Sequence, residues 1–157
     1  MKQDRFLMGI LIGIGVLVVV ALVLFFARQD TQTYRTDDSP EAVVYNYALA
    51  VTERDYQKAY GYLADLKDKP DYETFRGSFF NGMVNPGSTG LDVGTSRVNK
   101  DEAVVEVRLV YPSSDPFSSG YNNVDKALLV LQDGEWKLSA MPYNFWDYSW
   151  YQPVFKP

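Results

Sequence analysis

"DEAVVEVRLVY", residues 101–111, is the stretch on which the fold turns. Ala103, Val105, Val107, Leu109 and Tyr111 fall on one side of an extended chain, with Glu106 and Arg108 on the other. An alternation of period two predicts a strand with one buried face. Upstream, "LDVGTSRV" (91–98) reads as another strand. Downstream, "VDKALLVLQDGEWKLSAM" (124–141) reads as two strands joined at Asp133-Gly134, a strong hairpin signal. Between them "PSSDPFSSGYNN" (112–123) is expected to form a long, flexible connection.

Before residue 90 the period is helical. "NGMVNPGSTG" (81–90) is a loop by its Gly, Pro and Asn content. Ser39 is a good N-cap, Pro40 suits the first helical position, and Glu41 sits where the helix dipole favours an anion. Val43, Val44, Tyr47, Ala48 and Val51 then form one apolar stripe. Asp55 is placed to cap a second helix that buries Tyr56, Ala59, Tyr60 and Leu63, and Asp71 a third that buries Phe75 and Phe79. Helices first and antiparallel strands after predict an α+β domain, with about three helices on one face of a curved sheet.

"SPEAVVYNYALAVTERDYQKAYGYL" (39–63), a capped helix followed by an "RDYxxAYxxL" second helix, resembles the start of a nuclear transport factor 2-like domain. "DEAVVEVRLVY" and "DGEWKLS" fit the same superfamily, a cystatin-like cone, and the resemblance spans about residues 38–140. It implies either an enzyme that places Asp, His or Tyr inside an apolar cone or a non-catalytic interaction domain. No His is present and no Asp aligns with a catalytic position, so no catalytic residue is carried over. Single-span proteins of similar layout include accessory proteins of bacterial secretion and transport machines.

"FLMGILIGIGVLVVVALVLFFA" (6–27) carries neither charge nor polar side chain over 22 residues. As a helix it would run about 33 Å, enough for a hydrocarbon core of about 30 Å. A cleaved signal peptide would have about 7–15 apolar residues and a small-x-small site; here the stretch is longer and ends in "LFFARQD". An uncleaved anchor is expected. Lys2 and Arg5 precede the span and Arg28 and Arg35 follow it, nearly a tie. Only five residues lie ahead of the span. That predicts residues 1–5 in the cytoplasm and the remainder on the extracytoplasmic side of the cell membrane. Residues 28–38 read as a polar tether reaching about 35 Å at most, 39–142 as the domain, and 143–157 as an aromatic tail.

From Asp37 onward there are 11 basic and 18 acidic residues, a formal charge of −7. Nucleic acid is not an expected partner for so acidic a domain, nor is an anionic lipid surface. The chain has neither Cys nor His. Disulfides are therefore impossible, and no metal site or cofactor is expected. Asp37 and Asp38, and Asp65, Asp68 and Asp71, lack the order of a calcium loop and read as solvated surface.

The candidate functional residues form three groups. Tyr45, Tyr47, Tyr56, Tyr60 and Tyr62, with Phe75 and Phe79, are core residues or the lining of a pocket for a small apolar ligand. Asp92 would serve as a base only if buried. Gly9 and Gly13 form a GxxxG pair that lets a second helix approach, giving a possible helix-mediated homodimer, or else face lipid. In the tail, Tyr143, Phe145, Trp146, Tyr148, Trp150 and Tyr151 crowd one segment. Trp146, Tyr148 and Trp150 alternate with Asp147 and Ser149 as in a strand. The tail either folds back over the sheet, presents an anchor to a protein partner, or stacks on glycans or headgroups. The sequence therefore predicts a single-pass, non-enzymatic scaffold or accessory subunit of an envelope complex. The alternatives are a small-ligand module using the cone interior and an Asp/Tyr enzyme.

Overall fold

The structure, a computed structural model, describes residues 3–27, 32–113, 115 and 119–152. Residues 1–2, the first part of the expected tether (28–31), part of the 112–123 connection and the end of the tail (153–157) lie outside the described residues. The chain divides into two compact units, Met1–Thr33 and Tyr34–Pro157.

The first unit is α1, Gln3–Ala27. Its stretch Phe6–Phe25 has a mean hydropathy of 3.1 and is long and apolar enough to cross a membrane. Apolar side chains are exposed along it from Phe6 to Phe25.

The second unit is α+β, as the change of period requires. Its helices are α2 (Pro40–Thr52), α3 (Tyr56–Gly61) and α4 (Tyr72–Phe80), each started by the expected cap. Ser39 Oγ accepts the Ala42 N–H at 3.1 Å, Asp55 Oδ1 that of Lys58 at 3.1 Å, and Asp71 Oδ1 that of Thr74 at 2.8 Å. These bonds satisfy amides that a helix start leaves unpaired. α2 ends in a Schellman turn: Asp55 N–H donates to Ala50 O and Arg54 N–H to Val51 O. The left-handed position, usually glycine, is held by Arg54 at φ 63°, a strain of about 1 kcal/mol.

The strands β1 (Gly90–Asn99), β2 (Glu102–Tyr111), β3 (Tyr121–Gln132) and β4 (Glu135–Ala140) form one antiparallel meander in that order. Asp133 and Gly134 turn the last hairpin with φ of 52° and 85°, matching the strand twist. β3 begins three residues earlier than its apolar run suggests, because Tyr121 pairs with Tyr111 and stacks on its ring at 4.5 Å. Ala103, Val105, Val107 and Leu109 face the helices and are buried. α2 lies across β1, β2 and β4, and α3 bridges α2 and α4. The two sheet edges differ. β1 is broken by a bulge between Val93 and Ser96. β4 is covered by backbone: Ala64 N–H donates to Leu138 O and Leu138 N–H to Tyr62 O, both at 2.8 Å.

Two expectations need correction. The polar run 28–38 is not free along its length, since Tyr34 packs on the core and Arg35 is clasped by the buried Asn46. Asn46 accepts the Arg35 N–H at 2.8 Å and donates to its carbonyl at 2.9 Å. The tail is not a strand. A 3-10 helix, Tyr143–Phe145, is followed by turns, because the Asp147 side chain accepts the Ser149 N–H at 2.8 Å and bends the chain back.

Candidate functional site

The aromatic residues singled out in the sequence form one connected series running from the core to the surface. Tyr47 lies 6.1 Å from Trp146, Trp146 4.8 Å from Trp150, and Trp150 4.8 Å from Phe75. Phe75 meets Phe79 at 5.2 Å, Phe79 stacks on Tyr56 at 4.6 Å, and Tyr56 meets Phe80 edge-on at 5.9 Å. Offset and edge-to-face pairs of this kind add about 0.5–1.5 kcal/mol each beyond the area they bury.

This placement separates the tail candidates. Phe145, Trp146 and Trp150 are core residues, so they present no anchor to a partner. Tyr151 is half-buried and donates its hydroxyl to Ala64 O. Tyr143 and Tyr148 alone remain exposed, at 68% and 58%. The strand-like alternation misleads because Tyr148 points to solvent between two buried tryptophans, and Asp147 turns inward. Ser78 Oγ on α4 donates to Asp147 Oδ2 at 2.7 Å and accepts the indole N–H of Trp150 at 3.2 Å.

The cone candidates are likewise drawn into packing. Tyr47 is fully buried and donates to Phe145 O at 2.8 Å; Tyr60 donates to Pro70 O at 2.9 Å. Burial, with the neighbouring Tyr151, pushes the Tyr47 phenol well above its ordinary pKa. Burial, then Asp71 and Asp65, raises that of Tyr60. Burial raises that of Tyr62, with Asp55 adding to it against a hydrogen bond from Asn46. These phenols stay protonated at neutral pH, and Tyr47 and Tyr60 act as hydrogen-bond donors. Tyr45 is half-buried under the Arg35 guanidinium, 4.5 Å from its ring centroid. Asp92 is exposed and sits opposite Arg108 on the outer sheet face, so it lacks the burial a proton-abstracting role requires.

A surface groove of about 900 Å³ lies between the α2–α3 turn and the end of α4. Of the expected pocket residues, Tyr56 and Phe79 line it, while Tyr47, Tyr60 and Phe75 do not. Arg54, Arg76, Tyr72 and Phe80 are also on its wall. Phe80 is 70% exposed, and Met83, just beyond on the same turn, is 58% exposed. Arg76 pairs with Glu73 at 3.3 Å. Arg54 makes no ion pair among the described residues. Sequence reasoning missed Phe80, Met83 and Arg54. The signal available was Phe80 standing off the Phe75–Phe79 stripe at the end of α4, with a second large apolar residue just past Asn81-Gly82. On α1, a side chain at Gly9 or Gly13 would meet nothing within 4 Å, so that face is open.

No protein-family profile and no curated protein matches the chain. Among solved structures it is similar to a SEC-C motif-containing protein from Rhodopseudomonas palustris (16% identity, TM-score 0.48, covering 68% of this chain and 79% of that one). It is also similar to a candidate NTF2-like transpeptidase from Campylobacter jejuni (19%, 0.41, 64% and 96%). A third is a cystatin-like-fold protein of unknown function from Nostoc punctiforme (15%, 0.45, 61% and 80%). Similarity at this level concerns the fold and carries neither activity nor partner.

Proposed function

We propose that the chain is a single-pass membrane protein whose second unit acts as a non-enzymatic scaffold or accessory subunit of an envelope complex, on the extracytoplasmic side. The observation that carries this reading is the contrast between its two parts. α1 exposes apolar side chains all round, whereas Tyr34–Pro157 encloses its own aromatic core. One part needs lipid and the other needs water. Filling of the cone by Tyr47, Phe75, Trp146 and Trp150 supports recognition through the surface over chemistry inside. Gly9 and Gly13 give α1 a face for close contact with a second helix, of this chain or of a partner.

Two experiments test the reading. A native mass spectrum of the full chain, extracted from its own membrane in mild detergent, is expected to show stoichiometric protein companions. A lone chain carrying a reproducible small-molecule adduct would replace the scaffold reading with a ligand-binding one. Because the chain has no cysteine, Tyr148→Cys supplies a single label site. Reaction with an impermeant maleimide on cells whose outer layers are opened is expected, and protection until the membrane is lysed would reverse the orientation.

A further inference from the structure

The groove at the α2–α3 turn lies where the chain enters the second unit. Tyr34, the first residue of that unit, donates its hydroxyl to Glu53 Oε2 at 2.6 Å. Its ring carries the Lys58 ammonium 3.1 Å from the centroid. Glu53 and Lys58 bracket residues 54–57, which line the groove. Six residues, 28–33, separate the end of α1 from Tyr34. Fully extended they reach about 20 Å, roughly half the thickness of a bilayer with its headgroups. The docking of Tyr34 and Arg35 thus shortens the free tether and fixes which end of the second unit the chain enters.

That end carries an unusual set of side chains for an acidic domain. Phe80, the last residue of α4 with the Arg76 guanidinium over its ring, and Met83, in the turn that follows, are both exposed. Arg54 holds a left-handed backbone position and offers a guanidinium with no ion pair among the described residues. The nearby acids are engaged: Glu53 by Tyr34, Asp55 by the start of α3, and Glu73 by Arg76. Apolar wedges with a free guanidinium beside them match the headgroup layer, where apolar groups sink below the phosphates and arginine binds them.

We propose that this end of the second unit rests in the headgroup layer of the membrane crossed by α1, with Phe80 and Met83 inserted and Arg54 on lipid phosphate. The proposal depends on the anchor reading above. A bilayer is favoured over a protein occupant by position, since the tether holds this end within reach of the lipid. Insertion is driven by the apolar pair, so zwitterionic phosphate suffices and the overall negative charge of the domain is no obstacle.

The test uses the full chain in phosphatidylcholine vesicles, with and without phosphatidylglycerol. Single-cysteine variants carry a fluorophore at Asn81→Cys beside the wedge, at Asn122→Cys on the outer sheet face, or at Leu17→Cys within α1. Quenching by lipid-borne nitroxide is expected to be strong at 17, several-fold greater at 81 than at 122, and reduced to the level at 122 when Phe80→Ser and Met83→Ser are added. Strong quenching at 17 with equal quenching at 81 and 122 overturns the proposal and leaves the anchor standing. No lipid quenching at 17 removes the anchor reading itself. Shielding of 81 from a water-soluble quencher without access to the lipid-borne one means that protein covers the groove, and also overturns the proposal. Persistent lipid contact in the Phe80/Met83 double variant refutes the role given to those residues.

Discussion

Ser78 on α4 and Asp147 in the C-terminal segment are joined by a buried 2.7 Å hydrogen bond across 69 residues of sequence. The same hydroxyl accepts from the Trp150 indole, and the second carboxylate oxygen accepts the Ser149 N–H. This lock makes an apparent tail part of the core.

Asp147 therefore gives stability a pH dependence of known sign. Burial pushes its carboxyl upward, but the hydrogen bonds from Ser149 and Ser78 outweigh that, and its pKa is held below the ordinary value. A carboxyl lowered on folding contributes stability above the unfolded value of about 3.9, and loses it as pH falls through the folded one. Asp147→Asn is expected to cost about 1–3 kcal/mol near neutrality and to flatten that acid limb. Urea midpoints across acidic to neutral pH check both; unchanged midpoints and slope would show that the lock contributes nothing.

The burial pattern of the aromatic segment predicts a sharp division among neighbours. Trp150→Ala empties space beside Phe75 and Trp146 and is expected to cost about 3–5 kcal/mol. Tyr143→Ala and Tyr148→Ala, both at exposed sites, are expected to stay within about 0.5 kcal/mol. Chemical unfolding of the full chain in detergent, followed by near-ultraviolet circular dichroism, separates them. Equal costs would return the tryptophans to the surface.

Docking of the linker rests on Asn46. Asn46→Ala removes both side-chain bonds to the Arg35 backbone, at about 1–2 kcal/mol. Amide exchange at Arg35 is expected to speed up while the β2 and β3 amides stay protected. Uniform acceleration across the sheet would mean that Asn46 supports the whole core rather than the linker.

Arg54 sets stability against recognition. Arg54→Gly relieves the left-handed strain and is expected to stabilise the unit by up to about 1 kcal/mol. It also deletes the guanidinium proposed to meet lipid phosphate, so lipid quenching at position 81 is expected to fall. A melt shifted upward with unaltered quenching would detach Arg54 from the membrane role.

Where local chemistry decides the structure, the sequence was sufficient to read it. Ser39, Asp55 and Asp71 cap their own helices, and the β2 alternation needs only its neighbours in the strand. Where a distant partner decides, it was not. Asp147 turns inward because Ser78 waits on another element, and Tyr34 lies down because Glu53 and Lys58 receive it. The groove was hidden for a related reason: Phe80 ends α4 off the Phe75–Phe79 stripe and Met83 lies in the turn beyond, so neither continues a buried face.

The backbone of residues 62–64 laid along β4 bears on behaviour in a crowd. A protein tethered in a bilayer meets its own copies in two dimensions, at a raised effective concentration. Under those conditions an open strand is a seed onto which neighbours add, one sheet after another. Leu138 already spends its N–H and C=O on Tyr62 and Ala64, and β1 is kinked at its bulge with Asp92 and Arg97 on its outer face. On the anchor reading, the covered Leu138 and the bulge in β1 leave less open backbone for a neighbouring copy to extend.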